Sequence, residues 1–324
     1  MFLRKVVGVT MTKTSSVMMV LGFPASGKST LTKGFVDKGM VSLNRDTEGG
    51  TIADLLPKME QLLKEGKDIV LDNLFPTIEI RKPFLDLAKK YGANVSCSHM
   101  QTSIEDAQFN FLNRMIEMRG KFLDPVEIKR DKSPNIFPPA VFFKYKKEFQ
   151  KPTKEEGFQE VIKVPFARKD NPAFTNKALI LDYDGTLREC INGNGKFPVE
   201  KDQIEIKPNC TKILKEYQKQ GYLLLGVSNQ SGVHKGELTN EKAHELFQHT
   251  NSLLGVSIDY VFCPHQSAPP MCYCRKPGSG WGVHFIHKYK LKRQDCIFVG
   301  DMTTDKTFAA RCGFQYVDQA EFFK

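Results

Sequence analysis

The sequence contains no long apolar run and few cysteines. No segment approaches the roughly 20 consecutive apolar residues of a membrane-spanning helix, so we expect no membrane anchor. The N-terminus lacks the apolar core and the small-residue cleavage pattern of a secretory signal. Eight cysteines in 324 residues are too few for a disulfide-stabilised scaffold. We therefore expect a reduced, intracellular protein of the nucleus or the cytoplasm.

Internal repeats and low-complexity tracts are also absent. Apolar residues make up 40% of the chain and charged residues 26%, which is typical of a globular protein and argues against a disordered or fibrous one. A length of 324 residues suggests two domains. The net charge of +10 favours a polyanionic partner such as nucleic acid, although charge alone does not require one.

Two stretches of the sequence alternate short apolar strands with helices. In the first stretch we predict strands at 17–21, 41–43, 69–71 and 161–164, with helices at 29–38, 58–64, 80–91 and 105–120. In the second we predict strands at 178–181, 223–227 and 296–299 and a helix at 211–219. This alternation predicts an α/β fold with two parallel sheets flanked by helices, each with a site at its carboxyl edge. The predicted organisation is an extension at 1–15, a first domain at 16–168, a linker at 169–176 and a second domain at 177–324.

Residues 22–29, GFPASGKS, fit the phosphate-binding pattern G-x-x-x-x-G-K-[ST]. In this pattern the backbone N–H groups surround the phosphates, Lys28 reaches the outer phosphates and the Ser29 hydroxyl holds Mg²⁺. A plain turn is the alternative, but a strand before the pattern and a helix after it favour a phosphate site. The residues predicted to bind ATP are Gly22, Ala25, Ser26, Gly27, Lys28, Ser29 and Thr30.

Charged residues after this loop suggest phosphoryl transfer. Asp46 follows the second strand, where a carboxylate could take the proton from an attacking hydroxyl, or could simply cap a helix. Asp72 follows the third strand, where a magnesium-orienting carboxylate is expected. Arg114 and Arg119 lie on a predicted helix, where either could stabilise the transferred phosphoryl group or could belong to a solvated face.

The second domain begins with D-Y-D-G-T directly after an apolar strand. Here Asp182 is a candidate nucleophile that forms an acyl-phosphate, and Asp184 faces the same way to protonate the leaving oxygen and then deprotonate water. The further predicted site residues are Ser228 and Lys276 as phosphate ligands, and Asp301 and Asp305, which complete a magnesium site with Asp182 and Asp184. Only 46 residues separate Asp182 from Ser228, which leaves no room for a large cap over the site.

A possible zinc site lies between these motifs. Cys263, His265, Cys272 and Cys274 form C-x-H…C-x-C, a spacing and ligand set that suit a closed, tetrahedral, structural Zn²⁺. Three buried thiols and an unrelated histidine are the alternative. Bound zinc would shape the loop before Arg275 and Lys276.

The motifs of the first domain resemble those of the kinase domain of polynucleotide kinase–phosphatases. The resemblance covers roughly residues 16–168 and rests on GFPASGKST, NRDT, a strand ending in DN, and Asn113-Arg114. It implies a P-loop NTPase-type kinase in which Asp46 is the general base toward a 5′-hydroxyl and Arg114 is the lid arginine. Phage members have an arginine three residues after that aspartate, where this chain has Gly49, so the substrate contact is expected to differ.

The second domain resembles the haloacid-dehalogenase (HAD) phosphatases in D-Y-D-G-T, which implies a Rossmann-like fold with a minimal cap. Its zinc motif, followed by R-K-P, and SNQSG at 228–232 resemble the histidinol-phosphate and heptose-bisphosphate phosphatase branch, which acts on small molecules. Its ending, YVDQAEFF at 316–323, is similar to that of the animal nucleic-acid 3′-phosphatases. The two resemblances therefore point to different substrates.

The fusion of a kinase to a phosphatase favours a nucleic-acid substrate. The two activities would cancel on one position of a metabolite, but they cooperate on the 5′-hydroxyl and 3′-phosphate of a nick. We predict a bifunctional enzyme that uses ATP, Mg²⁺ and structural Zn²⁺ on DNA or RNA ends, with ligases and repair proteins as candidate partners. The alternatives are a small-molecule kinase fused to a sugar-phosphate or histidinol-phosphate phosphatase, and a non-catalytic scaffold.

Overall fold

The structure, a computed structural model, describes residues 14–192, 197–269 and 271–324. The predicted extension at 1–15 lies almost entirely outside the described residues. The described residues divide into two compact units, one within 14–107 and 142–167 and the other within 108–141 and 168–324. Residues 108–141 thus belong to the second unit, although the sequence suggests that they continue the first domain. Compactness alone does not define a functional domain, so the domain bounds stay a prediction.

The first unit is built on a five-stranded parallel sheet in the order β2-β3-β1-β4-β5. Its strands are β1 (Ser16–Leu21), β2 (Val41–Leu43), β3 (Ile69–Asp72), β4 (Asn94–Met100) and β5 (Glu160–Val164). The helices of residues 14–167 are α1 (Lys28–Val36), α2 (Arg45–Glu48), α3 (Leu55–Lys64), α4 (Ile78–Lys90), α5 (Ile104–Arg119), α6 (Pro125–Arg130) and α7 (Ala140–Glu148).

The core of the first unit follows from helical and strand periodicity. Helix α3 buries Leu55, Met59 and Leu63, which are four residues apart and therefore share one face. Strand β3 is buried along its whole length, as expected for a parallel strand covered on both faces. A buried ion pair joins Arg81 of α4 to Glu156, with Nε and Oε2 2.7 Å apart. The ion pair ties α4 to the segment before β5.

The second unit contains another five-stranded parallel sheet, in the order β10-β9-β6-β11-β12, and an antiparallel pair, β7 with β8. The strands are β6 (Ala178–Leu181), β7 (Arg188–Cys190), β8 (Ile204–Ile206), β9 (Leu223–Asn229), β10 (Asp259–Cys263), β11 (Ile297–Gly300) and β12 (Gln315–Asp318). The helices are α8 (Cys210–Lys219), α9 (Ser231–Lys235), α10 (Asn240–Leu254), α11 (Gly280–Tyr289), α12 (Thr303–Cys312) and α13 (Gln319–Phe322).

The register of the second sheet determines where its site forms. Leu181, the last residue of β6, pairs with Val299 of β11 and with Gly226 of β9. The residues that follow these three partners therefore emerge at one edge of the sheet. The predicted fold class, two parallel sheets flanked by helices, is confirmed.

Some elements differ from the sequence-based expectations. Strand β4 was not expected, and β9 continues to Asn229, so Ser228 lies within the strand rather than after it. Helix α7 buries Phe142 and Tyr145 and leaves Phe143 44% exposed. Two aromatic side chains of this helix thus pack inward. Across the described residues, no helix has the length and apolar character needed to cross a membrane.

Candidate active sites

The predicted phosphate loop connects β1 to α1. The Lys28 Nζ donates hydrogen bonds to the backbone oxygens of Gly22 and Phe23, at 3.1 and 2.8 Å. Helix α1 begins at Lys28 after Gly27, which has φ of +94°. Ser29 and Thr30 thus occupy the first turn of the helix and are exposed. The loop therefore presents a helix N-terminus, an amine and a hydroxyl at one place, as a phosphate site requires.

Neighbouring residues fix the shape of this loop. A Cβ at Gly22 would lie 2.8 Å from the Cβ of Met100 at the end of β4, so only glycine fits there. The Thr102 hydroxyl donates to the backbone oxygen of Ser26 at 2.8 Å. Ala25 adopts φ of +57°, in the left-handed region. Gly22 and Thr102 thus fix the loop against the end of β4.

The predicted general base, Asp46, lies in the first turn of α2 and is half-exposed. The helix is capped by Asn44, whose Oδ1 accepts from the backbone N–H of Asp46 at 2.7 Å. The alternative that Asp46 itself caps the helix is therefore wrong. Its carboxylate accepts from the Arg45 guanidinium at 2.8 Å. Gly49 ends the helix with φ of +77°, so glycine suits the position where phage relatives have arginine.

The turn that carries Asp46 is held by Asn73, which directly follows β3. The Asn73 Oδ1 accepts from the backbone N–H of Arg45 at 3.0 Å, and its Nδ2 donates to the backbone oxygen of Leu43 at 3.3 Å. Asp72, the last residue of β3, is buried. Sequence reasoning noted the Asp-Asn pair but did not assign a role to the amide.

The two predicted lid arginines lie on the part of α5 that belongs to the second unit. The Arg114 Nη2 donates to the backbone oxygen of Asn135 at 3.0 Å. Arg119 forms a two-pronged ion pair with Asp131, and its hydrogen bond lowers the pKa of that carboxyl to about 2. The phosphate loop belongs to the other unit, so the role of Arg114 in phosphoryl transfer stays a prediction.

The second site forms around Lys276, which is buried. Its Nζ lies 2.8 Å from Oδ1 of Asp182 and 2.7 Å from Oδ1 of Asp305. Burial raises the pKa of Asp182 to about 7; Lys276 opposes this shift and Asp305 adds to it. Burial alone would lower the pKa of Lys276, but the two carboxylates raise it. The lysine thus stays positively charged where a phosphate dianion would bind.

Three carboxylates meet beside this lysine. One oxygen from each of Asp182, Asp301 and Asp305 lies within 4.8 Å of the others. This all-oxygen set suits Mg²⁺. Glycine is required next to it, because a Cβ at Gly185 would collide with the Asp301 carboxylate and one at Gly300 would lie 2.6 Å from Asp305. The residues present therefore fit a magnesium ion.

Asp184 is not part of the carboxylate group, although it was predicted to bind magnesium. Its Oδ1 accepts from Nε of Arg188 at 2.8 Å, and its Oδ2 accepts from Nε2 of Gln230 at 2.7 Å. The same Gln230 nitrogen donates to Oγ of Ser228 at 3.1 Å. These bonds link the predicted general acid to the predicted phosphate ligand. The structure does not bring Asp184 to the metal group through its carboxylate.

Asn229 fixes the backbone at Lys276. Its Oδ1 accepts from the backbone N–H of Lys276 at 2.9 Å, and its Nδ2 donates to the backbone oxygen of the same residue at 3.0 Å. Sequence reasoning missed Asn229 and Arg188. The available signal was that Asn229 lies within the S-N-Q segment at 228–230 and that Arg188 closely follows D-Y-D-G-T. Lys276, the partner of Asn229, and Thr250, a partner of Arg188, are distant from them in the sequence.

The four predicted zinc ligands converge, with one donor atom from each within 4.8 Å of the others. Sγ of Cys263 lies 3.7 Å from Sγ of Cys272 and 3.5 Å from Nδ1 of His265, which lies 3.3 Å from Sγ of Cys274. A tetrahedral Zn²⁺ with Zn–S bonds of about 2.3 Å places sulfur ligands about 3.8 Å apart. The geometry therefore fits zinc and does not support an unrelated histidine. The binding of zinc itself stays a proposal.

Residues 177–323, which contain the Asp182 and Lys276 site, match the sequence model of the family described as polynucleotide kinase 3 phosphatase. Residues 177–323 belong to this family. Residues 17–115, which contain the phosphate loop, match the model of an AAA domain. The two matches agree with the resemblance seen in the sequence, because the family model covers the phosphatase-like part and the AAA model covers the P-loop part.

The chain is also similar to individual proteins. It is 36% identical over 151 residues to a bifunctional polynucleotide phosphatase/kinase of Schizosaccharomyces pombe, covering 46% of this chain and 33% of that protein. It is 32% identical over 140 residues to a probable heptose-bisphosphate phosphatase of Thermoplasma volcanium, covering 42% of this chain and 92% of that protein. The chain thus spans about a third of the length of the S. pombe protein.

A solved structure of a Pnkp1/Rnl/Hen1 RNA repair complex aligns with 95% of this chain and 98% of the matched chain, at 16% identity and a TM-score of 0.32. Likeness at this level has no bearing on function.

Proposed function

We propose that the chain is a bifunctional enzyme that heals nucleic-acid ends, with an ATP-dependent 5′-hydroxyl kinase and a 3′-phosphatase. The observation that carries the proposal is the pairing, in one chain, of a phosphate loop with the buried Asp182–Lys276–Asp305 cluster. A kinase and a phosphatase in one chain cooperate only when their target positions differ, and the two ends of a nick meet that condition. The name of the S. pombe relative supports the polynucleotide as substrate.

In the phosphatase reaction, Asp182 attacks phosphorus and the bond to the leaving 3′-oxygen breaks. Asp184 gives its proton to that oxygen, and afterwards takes a proton from the water that hydrolyses the acyl-phosphate. Lys276 and Ser228 bind the phosphoryl oxygens. Mg²⁺ held by Asp182, Asp301 and Asp305 would stabilise the charge on the phosphoryl group.

In the kinase reaction, Lys28 exchanges its bonds to two backbone oxygens for bonds to the phosphates of ATP. Asp46 accepts the proton of the 5′-hydroxyl as that oxygen attacks the γ-phosphorus, and the bond from the γ-phosphorus to the β–γ bridging oxygen breaks to release ADP. We assign to Arg114 the role of stabilising the transferred phosphoryl group. Ser29 would hold the Mg²⁺ that accompanies ATP.

The zinc ligands have a structural role in this proposal. Cys272 and Cys274 lie just before Arg275 and Lys276 in the sequence, so a metal bound to the thiolates fixes the segment that positions Lys276 in the site. Arg275 also donates to the backbone oxygen of His265 at 3.2 Å. The four ligands complete a closed site, which leaves no position for a substrate.

The proposal is tested with a labelled oligonucleotide that carries a 5′-hydroxyl and a 3′-phosphate. Incubation with ATP and Mg²⁺ should add phosphate at the 5′ end and remove it at the 3′ end. DNA and RNA versions of the oligonucleotide identify the preferred polymer. A protein that changes neither end, while it hydrolyses p-nitrophenyl phosphate, would overturn the nucleic-acid assignment.

A small-molecule phosphatase is the second candidate function, favoured by the zinc tetrad and by the likeness to the T. volcanium protein. Salt dependence separates the two. Binding of a polyanion weakens steeply with salt because counterions are released, whereas a small sugar phosphate has few to release. A KM that barely changes between about 50 and 200 mM salt would favour the metabolite.

A further inference from the structure

Arg188 is a buried arginine that lies beside the predicted general acid. It is 2% exposed, and its Nε donates to Oδ1 of Asp184 at 2.8 Å. The backbone brings the two residues together, because the backbone N–H of Gly185 donates to the backbone oxygen of Arg188 at 2.9 Å. The tight turn of D-x-D-G-T thus returns the chain so that the fourth residue after Asp184 faces it.

The rest of the guanidinium is bound to helix α10. Its Nη1 donates to the Thr250 hydroxyl at 2.8 Å and to the backbone oxygen of Leu246 at 3.1 Å. The ring of Phe247 lies 4.9 Å from the guanidinium carbon. Because the cation is held on all these sides, its position relative to the sheet edge is fixed.

The two oxygens of Asp184 therefore have different partners. Oδ1 faces Arg188, while Oδ2 accepts from Gln230, which also donates to Ser228. Ser228 is the predicted phosphate ligand, so Oδ2 is the oxygen on the phosphate side. A carboxylate free to rotate would exchange its oxygens, but a charge-assisted bond to Oδ1 resists that rotation.

We propose that Arg188 is a positioning residue for the phosphatase reaction, which holds Asp184 so that Oδ2 is directed at the leaving oxygen. The inference rests on the proposed phosphatase function. In the step concerned, a bond from Asp182 to phosphorus forms, the bond to the leaving oxygen breaks, and the proton of Asp184 moves to that oxygen. Arg188 acts on that proton transfer through Asp184 and does not touch the substrate.

The test compares two substrates whose leaving groups differ in their need for a proton. A 3′-phosphorylated oligonucleotide releases an alkoxide that must be protonated, whereas p-nitrophenyl phosphate releases a stable anion. The measured value is kcat/KM, which reports the steps up to departure of the leaving group and omits hydrolysis of the acyl-phosphate. The ratio of the two values in one sample is independent of the fraction of protein that is folded.

Arg188→Met should lower kcat/KM for the oligonucleotide at least about tenfold more than for p-nitrophenyl phosphate, since general acid catalysis contributes about 10²- to 10⁴-fold. Arg188→Lys keeps a charged donor and should recover part of the ratio. Thr250→Val is the matched control: it removes one of the two hydrogen bonds from Arg188 to α10 but leaves Asp184 paired, and it should leave the ratio unchanged.

Equal losses on both substrates in Arg188→Met, or a ratio changed as much by Thr250→Val, would show that Arg188 is only a structural support and would overturn the inference. If Arg188→Met does not fold, the ratio in Arg188→Lys decides: a ratio shifted from the wild type supports positioning, and an unshifted ratio contradicts it. Wild-type protein that cleaves neither substrate contradicts the proposed function instead. Wild-type protein that cleaves only p-nitrophenyl phosphate contradicts the polymer substrate, and phenyl phosphate then replaces the oligonucleotide in the same ratio.

Discussion

At the carboxyl edge of the second sheet, Asp182, Lys276 and Asp305 contact one another and are buried, whereas at the edge of the first sheet Lys28 bonds to backbone oxygens and Asp46 is half-exposed. The cluster at the second sheet already contains opposite charges at contact distance. At the first sheet, the phosphate loop keeps its shape through Gly22 and Thr102.

This difference follows from the two chemistries. The phosphatase nucleophile belongs to the protein, so the protein alone must neutralise and orient it. The kinase nucleophile and the transferred group both belong to the substrates, so the protein supplies a phosphate-binding loop and a general base. We therefore expect substitutions at the phosphatase site to affect both activity and stability, and substitutions at the kinase site to affect activity alone.

The largest expected effect comes from the two reacting aspartates. Asp182→Asn removes the nucleophile and should lower 3′-phosphatase kcat at least about 10³-fold while kinase activity is retained. Asp46→Asn should lower kinase activity by about 10²-fold or more, the range of a general base, and spare the phosphatase. Both activities are measured on one doubly labelled oligonucleotide. Loss of both activities from either substitution would contradict two separate sites.

The two lysines provide the next contrast. Lys276→Met leaves two buried carboxylates without their cation and should cost about 3–5 kcal/mol of unfolding free energy, in addition to about 10²- to 10³-fold of phosphatase activity. Lys28→Met removes hydrogen bonds to the backbone oxygens of Gly22 and Phe23, and it should abolish kinase activity with a smaller loss of stability than Lys276→Met. Chemical denaturation and the two activity assays measure this. Equal stability of the two variants would contradict the comparison.

The sequence predicted the two sites unequally. The motif residues and strands β1 and β6 could be found because an apolar run stands directly before each motif. Strand β4 was missed because its sequence, NVSCSHM, mixes polar residues with apolar ones even though most of it is buried. Arg188, Asn229 and Asn73 were missed for another reason. Asn229 and Asn73 bond to residues that only the tertiary structure brings close. The pairing of Arg188 with Asp184 depends on a turn that the sequence pattern did not reveal.

Zinc removal should affect the activities of the two units differently. A chelator strong enough to strip Zn²⁺, or Cys272→Ser, should lower the unfolding temperature and the phosphatase activity, because the segment that delivers Lys276 loses its metal. Kinase activity should persist. Metal content is measured by elemental analysis, and Cys190→Ser is the control because Cys190 is outside the tetrad. Zinc stoichiometry near zero in the wild-type protein would contradict the assignment.

The smallest expected effects come from the two asparagines that fix backbone beside each site. Asn229→Ala removes two hydrogen bonds to Lys276 and should lower phosphatase kcat about tenfold, since each bond contributes about 0.5–1.5 kcal/mol. Asn73→Ala removes two bonds around Asp46 and should lower kinase kcat about threefold to tenfold. The effect of Asn229 should be larger, because a misplaced Lys276 leaves buried charge unpaired, whereas Asp46 is exposed and can readjust. The same effect of each variant on both activities would show a general loss of folding and not the separate support of two sites.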